Sequence, residues 1–235
     1  MKNKIVSLDT SFGFSISIAD EDGGISVERA LSAVGRESDR LLVPWIVESL
    51  AEAGATLKDV GRWTLGTGPG SFAGLRCGIA VAKGAAQANG AILRGVPSAY
   101  ALATAAPGSA KTVGVIHDGR CGEFLFTRFL RDEAGTLVME GTTEALHPAV
   151  LNEETRRCDS YVTLQKQLLE QAPKDVAERA TVVDSVPATA LLAAPEALYP
   201  WPTDWNACEK STEPLYVRQA VFVKPATLRS LSTKD

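Results

Sequence analysis

Histidine is scarce in this chain. Two occur in 235 residues, His117 and His147, and neither belongs to an H-x-x-x-H or H-E-x-x-H pair. That argues against a histidine-ligated metal of the metallopeptidase kind. A Ser-His-Asp hydrolase would have to use one of these two without a G-x-S-x-G elbow. The four cysteines, Cys77, Cys121, Cys158 and Cys208, are scattered with no C-x-x-C pair. Reduced thiols are the simple expectation, rather than a zinc site or a disulfide framework. No run of about 18 apolar residues exists, so no membrane-spanning helix is expected. Met1-Lys2-Asn3-Lys4 leads directly into a strand without a signal-peptide core, and the expectation is a cytoplasmic protein. A net charge of −4 and a pI near 5.4 argue against gripping nucleic acid alone over a broad surface. One absence is local. No Asp or Glu lies between Asp59 and Asp118, while Arg62, Arg76, Lys83, Arg94 and Lys111 fall in that window. Such a stretch suits an anionic neighbour and offers no carboxylate as base or metal ligand.

What is present centres on residues 63–90. A β-prone run, Trp63 to Leu65, meets a glycine turn, Gly66 to Gly70. Ser71 is a good N-cap, and a helix is predicted to about Asn89, stopped by Gly90. Gly74, Gly78, Ala82 and Ala86 recur at a spacing of four. Helical glycine costs roughly 1 kcal/mol against alanine, so a close approach must offset it. A row at i, i+4 is one ridge of a helix surface. The expectation is that this ridge faces outward and receives another helix, while Leu75, Ile79 and Val81 cover the chain's own sheet. A tightly packed core helix behind a glycine turn is the competing reading. A phosphate-holding loop is a third, but G-x-x-x-x-G-K-[ST] is absent. Gly68 to Ala73 fits G-x-G-x-x-A without the acid expected about twenty residues on.

The preceding helix, predicted over Arg40 to Ala53, is apolar over most of its girth. Leu42, Trp45, Ile46 and Leu50 form one stripe, and Leu41, Val43 and Val47 widen it. Either it is buried on two sides or it carries a docking strip. Before it stand three predicted strands (Lys4 to Leu8, Phe14 to Ala19, Ile25 to Ala33). After the central helix come a strand at Ile92 to Val96 and a helix from Ser98. A domain boundary is expected near 106/107, dividing the chain into 1–106 and 107–235. The second half echoes the first. Strand, Asp9, turn, Gly13, strand is followed by strand, Asp118, turn, Gly122, strand. Beyond it, helices are expected over Pro148 to Arg157 and Ala188 to Leu198, a short helical piece over Lys166 to Gln171, and strands at Ser160 to Leu164 and Thr181 to Asp184.

Gly66-Thr67-Gly68-Pro69-Gly70-Ser71-Phe72-Ala73-Gly74-Leu75-Arg76 resembles the G-x-G-P-G-S-F-T-G-L-R signature of the TsaB (YeaZ) family. Arg36-Glu37-Ser38 through Leu42 and Pro44 resembles that family's R-x-H-S-x-x-L-x-P, without the His. Residues 117–124 resemble its I-D-A-R-x-G-E-V-Y, and Glu213 to Arg218 its E-P-x-Y-L-R. The resemblance implies an α/β fold of two actin/Hsp70-like (ASKHA, ribonuclease H-like) domains, each a mixed sheet with helices, the second degraded. It implies a non-catalytic dimerisation subunit of the machinery making threonylcarbamoyladenosine at position 37 of tRNA. The partners implied are a TsaD-like catalytic paralogue and a TsaE-like ATPase, with tRNA reached only through the complex and a homodimer in isolation. The interface residues expected are Leu41, Leu42, Trp45, Gly74, Arg76, Gly78, Ala82 and Ala86. Asp9, Thr10 and Asp118 would be a vestigial nucleotide site. No metal and no resident cofactor are expected, ATP or ADP with magnesium entering only weakly or at the partner interface. The rival is a sugar-kinase-type phosphotransferase built on Asp9 and Asp118, whose D-x-G-G-T turns are missing here.

Overall fold

The computed structural model describes residues 3–31 and 38–217. Arg36, Glu37 and Arg218, quoted above, lie outside the described residues.

β1 (Lys4–Asp9), β2 (Phe14–Asp20) and β3 (Ile25–Leu31) form an antiparallel meander. β4 (Val60–Gly66) then adds parallel to β1, and β5 (Ile92–Val96) parallel to β4. The sheet order is β3-β2-β1-β4-β5. The second sheet repeats the plan with β6 (Thr112–Asp118), β7 (Phe124–Arg131), β8 (Leu137–Leu146), β9 (Ser160–Thr163) and β10 (Ala180–Val182). β6, β7 and β8 are the meander, and β9 and β10 add in parallel. Its order, β10-β9-β6-β7-β8, is the first sheet's order with each strand replaced by its counterpart. The echo around Asp9 and Asp118 is thus a repeat of topology. Both aspartates end the first strand of a meander.

Two helices cover one face of the first sheet. α1 (Ser38–Glu52) and α2 (Phe72–Asn89) pack against it and each other, α1 with Pro44 inside it. α2 starts where Ser71 Oγ accepts from Gly74 N at 3.2 Å and stops at Gly90, whose φ of 64° suits glycine. Leu42, Trp45, Ile46 and Leu50 of α1 join Ile79, Ala82 and Ala86 of α2 over Val6, Leu8, Ile16, Ile18 and Trp63. Phe14 meets Trp45 with ring centroids 5.6 Å apart.

The other face is covered by chain from after the second sheet. α5 (Ala188–Leu192) crosses β1, β2 and β4. A polar row lies beneath it. Ser7 Oγ donates to Ala188 O at 2.6 Å, Thr189 Oγ1 to Glu28 Oε1 at 2.9 Å, and Arg94 Nη2 to Leu192 O at 2.9 Å. The alternation of β2 therefore does not mark a wet face: Ser15 and Ser17 are buried. α6 (Trp205–Ser211) packs beside β5, with Leu93 N on Cys208 Sγ at 3.5 Å. α3 (Ser98–Ala103), wholly buried, bridges to the second core around Val113, Val115 and Phe129.

Three expectations change. Residues 148–157 form two 3₁₀ segments separated at Glu153, whose backbone is extended, rather than one helix. Only Pro148 and Leu151 of that run are buried, too few for a docked helical face. The helix from Ala188 ends at Leu192, three residues short of Pro195. β8, α4 (Lys174–Glu178) and α6 are additional elements. Among the described residues no helix is long and apolar enough to cross a membrane.

Candidate functional site

β1 ends in Asp9-Thr10-Ser11, and this turn is built into the glycine loop. The Asp9 carboxylate, 1% exposed, accepts from Ser11 N at 2.8 Å, from Ser11 Oγ at 2.5 Å and from Ser98 Oγ. Burial pushes its pKa up, and the Ser11 and Ser98 hydrogen bonds oppose that rise. The loop amides are also committed internally. Ser71 N donates to Ser11 O at 2.8 Å, and Gly68 N to Ser98 Oγ at 2.9 Å.

The small-residue ridge faces this turn, which corrects the outward assignment. A Cβ at Gly70 would strike Ser11, one at Gly74 the carbonyl of Thr10, and one at Gly78 the Thr10 side chain. Ala82 and Ala86 continue the row into the core with no exposure. The glycines thus admit a loop of the chain itself. Of the residues expected at a partner interface, Leu42, Trp45, Gly78, Ala82 and Ala86 are buried in the chain's own core, Gly74 is half-buried, and Leu41 and Arg76 are exposed.

The outward side of the same two helices is apolar. On α1, Leu41, Val43 and Val47 are 43%, 45% and 47% exposed, with Pro44 and Ala51 exposed beside them. On α2 small residues, Ala73, Ala80, Gly84 and Ala88, are exposed together with Phe72, Arg76 and Gln87, and Cys77 is half-buried between them. A Cβ at Gly84 would meet nothing within 4 Å. The signal for this face was in the sequence. The residues of α1 outside its i, i+3, i+4 stripe are the ones that turn outward.

Asp118 stands apart from Asp9. It is exposed, its Oδ1 accepts from Arg120 N at 2.7 Å, and its own N donates to Gln165 Oε1 at 2.9 Å. Arg120 and Cys121 carry φ of 61° and 53° to close the turn. Between the two aspartate turns Phe12 stacks on His117, centroids 4.7 Å apart. His117 is fully buried, neither ring nitrogen has a hydrogen-bond partner among the described residues, and burial lowers its pKa to about 3. It is a neutral ring at neutral pH. His147 Nδ1 accepts from Ala149 N at 3.3 Å at the start of a 3₁₀ turn. Among the described residues no three His, Cys, Asp or Glu side chains converge on a metal-sized site.

A cleft of about 190 Å³ lies between Pro69, Gly70 and Phe72 on one side and Asp118 and Arg120 on the other, closed by residues 215–217. Leu215 N donates to Thr67 O at 2.8 Å, and Tyr216 Oη accepts from Arg76 Nε at 2.9 Å. The Arg76 guanidinium also lies over the Phe72 ring at 3.7 Å. Sequence reasoning missed Phe72 and Tyr216 as neighbours because 144 residues separate them. The geometry here offers one closed carboxylate, Asp9, and one open one, Asp118.

A family model described as "TsaD: tRNA N6-adenosine threonylcarbamoyltransferase" matches residues 15–152. The chain is 29% identical over 157 residues to the tRNA threonylcarbamoyladenosine biosynthesis protein TsaB of Escherichia coli (strain K12), covering 66% of this chain and 67% of that one. It is 34% identical over 102 residues to the same-named protein of Haemophilus influenzae, covering 42% of each. A crystal structure from Pseudomonas aeruginosa, titled as an uncharacterized protein with similarity to peptidase YEAZ, superposes with a TM-score of 0.69 at 25% identity. That match covers 92% of this chain and 100% of the other. With that model spanning more than half of its length, and with proteins named TsaB among its relatives, the chain belongs to the family described as TsaD, tRNA N6-adenosine threonylcarbamoyltransferase.

Proposed function

We propose that this chain is a non-catalytic dimerisation subunit in the synthesis of N6-threonylcarbamoyladenosine at position 37 of tRNA. It acts by holding a TsaD-like catalytic paralogue on the outward face of α1 and α2, with a TsaE-like ATPase joining the assembly and tRNA reached only through it. The relatives named for tRNA threonylcarbamoyladenosine biosynthesis support the process. The observation that carries the role is the exposed strip Leu41, Val43 and Val47 beside a helix face of small residues. Exposed apolar surface of this kind marks an interface, and small side chains on α2 let a second helix approach closely. Arg76, exposed at the start of α2, lies at its margin. Without the paralogue, the same face pairs two copies of the chain about a two-fold axis. The non-catalytic reading is supported by the sealed Asp9 and by the loop amides already bonded to the chain's own Ser11 and Ser98. ATP or ADP with magnesium then belongs to the partner interface. We take the two units to divide near 106/107, with the α5 and α6 segments returning to the first sheet.

The test is association. Val47→Asp places a charge on the exposed strip and leaves the core untouched, so its thermal midpoint stays near wild type. The variant should fail to pair with itself and with a TsaD-like paralogue in light scattering after size exclusion, because an unpaired charge buried at an interface opposes association. A folded Val47→Asp chain that still forms the complex removes this face as the interface.

A further inference from the structure

One concavity lies away from the aspartate turns. It measures about 470 Å³ and lies on the α5 side of the first sheet, at the opposite end of β1 from Asp9. That volume falls within the ~300–1,000 Å³ of small-molecule sites. Its walls are apolar, including Ile5, Ile25, Leu192 and Pro195. Its charged groups are arranged around one indole. Arg94, 2% exposed, is fixed by Thr64 Oγ1 at 3.0 Å, Tyr199 O at 3.0 Å and Leu192 O at 2.9 Å, and its guanidinium carbon lies 4.4 Å from the Trp201 ring centroid. Arg62, exposed, brings a second guanidinium to 5.4 Å from the same ring.

Two cations therefore converge on Trp201, and among the described residues neither has a carboxylate in ion-pair contact. The nearby carboxylates are engaged elsewhere. Glu196 Oε1 accepts from Trp201 Nε1 at 3.0 Å, and Asp20 pairs with Lys4 at 2.7 Å. The Arg94 pKa is lowered, first by burial and in part by Arg62, while Glu196 opposes the shift. An anion beside Arg62 relieves that repulsion, and a planar body fits along the indole and the aliphatic wall. Asp20 and Glu196, both lining the pocket, repel a second negative charge.

We propose that this pocket is a binding site for a small monoanionic carboxylate with a planar or apolar body, its carboxylate on Arg62 and its body against Trp201. The site is independent of the α1/α2 face.

The test uses benzoate as probe, with benzyl alcohol as the neutral control and phenyl phosphate as the dianionic one, in saturation-transfer NMR titrations of the full chain at slightly alkaline pH. Benzoate should bind with a Kd below roughly 5 mM, and Arg62→Gln should weaken it about tenfold. Arg62 is exposed, so the variant's thermal midpoint should match wild type. Benzyl alcohol and phenyl phosphate should each bind more weakly than benzoate. The proposal is overturned by no benzoate binding in that range or by equal binding to Arg62→Gln. Either control matching benzoate overturns it as well.

Discussion

His117→Phe isolates one buried titratable group. In the folded chain the imidazole is sealed against Phe12 with both nitrogens unpartnered among the described residues, and burial lowers its pKa from 6.5 to about 3. Above pH 6.5 the ring is neutral whether the chain is folded or unfolded, and it contributes no pH dependence. As pH falls through 6.5 the unfolded chain takes up a proton that the folded chain refuses until about pH 3. Stability is lost across that window. At 1.36 kcal/mol per pH unit the loss reaches about 3 kcal/mol at pH 4. Asp9 works in the opposite direction, because burial raises its pKa and protonation then favours the folded chain. That contribution and those of the other carboxylates are common to both chains and cancel in the difference. Urea unfolding of wild type and His117→Phe at pH steps from about 7 to 4, followed by circular dichroism, reads the difference directly. The variant should gain on wild type by about 1.4 kcal/mol for each pH unit below about 6. Parallel stability–pH curves would refute the reasoning, since they require a histidine that protonates equally in both states.

Three further outcomes follow from the packing. Gly78→Ala should cost about 1–3 kcal/mol by driving a methyl into Thr10, and Thr10→Ala should recover part of it in a double-mutant cycle. By contrast Gly84→Ala, on the open side of the same helix, should stabilise the chain by up to about 1 kcal/mol in thermal unfolding. Arg94→Leu strips three hydrogen bonds that tie β5 to Thr64, Leu192 and Tyr199, and should cost about 2–4 kcal/mol in denaturant unfolding, with early loss of protection around α5 in hydrogen exchange. Exposed Cys121 should react first with a thiol reagent in the native chain. Cys158, buried with its pKa raised to about 11, should react only after unfolding.

How much was legible follows from how local each signal is. The cap at Ser71, the stop at Gly90, the three N-terminal strands and the repeated strand-Asp-turn-strand all rest on residues a few positions apart, and all stand in the structure. The resemblance carried by residues 66–76 pointed to the relatives named TsaB on the same footing. β8 was not legible. Its ten residues contain Gly141 at φ 70° and are mostly exposed, so its strand character comes from pairing with β7. Nor was α6. Seven residues are too short to hold a helix alone, and it exists where it does because Cys208 docks on β5.

By itself the sequence determined that α2 carries small residues in rows and that α1 has more apolar surface than one face needs. It could not say which row faces in. Gly74-Gly78-Ala82-Ala86 and Ala73-Ala80-Gly84-Ala88 are both acceptable ridges of one helix. The choice was made by the Asp9-Thr10-Ser11 turn, some sixty residues earlier, whose backbone and Thr10 side chain leave no room for a Cβ at Gly74 or Gly78. The serine face of β2 was likewise decided from afar, by α5 arriving from beyond the second sheet to accept the Ser7 hydroxyl. Periodicity shows that a helix or strand has two sides. Which side is dry depends on a contact made only when distant chain folds back over it.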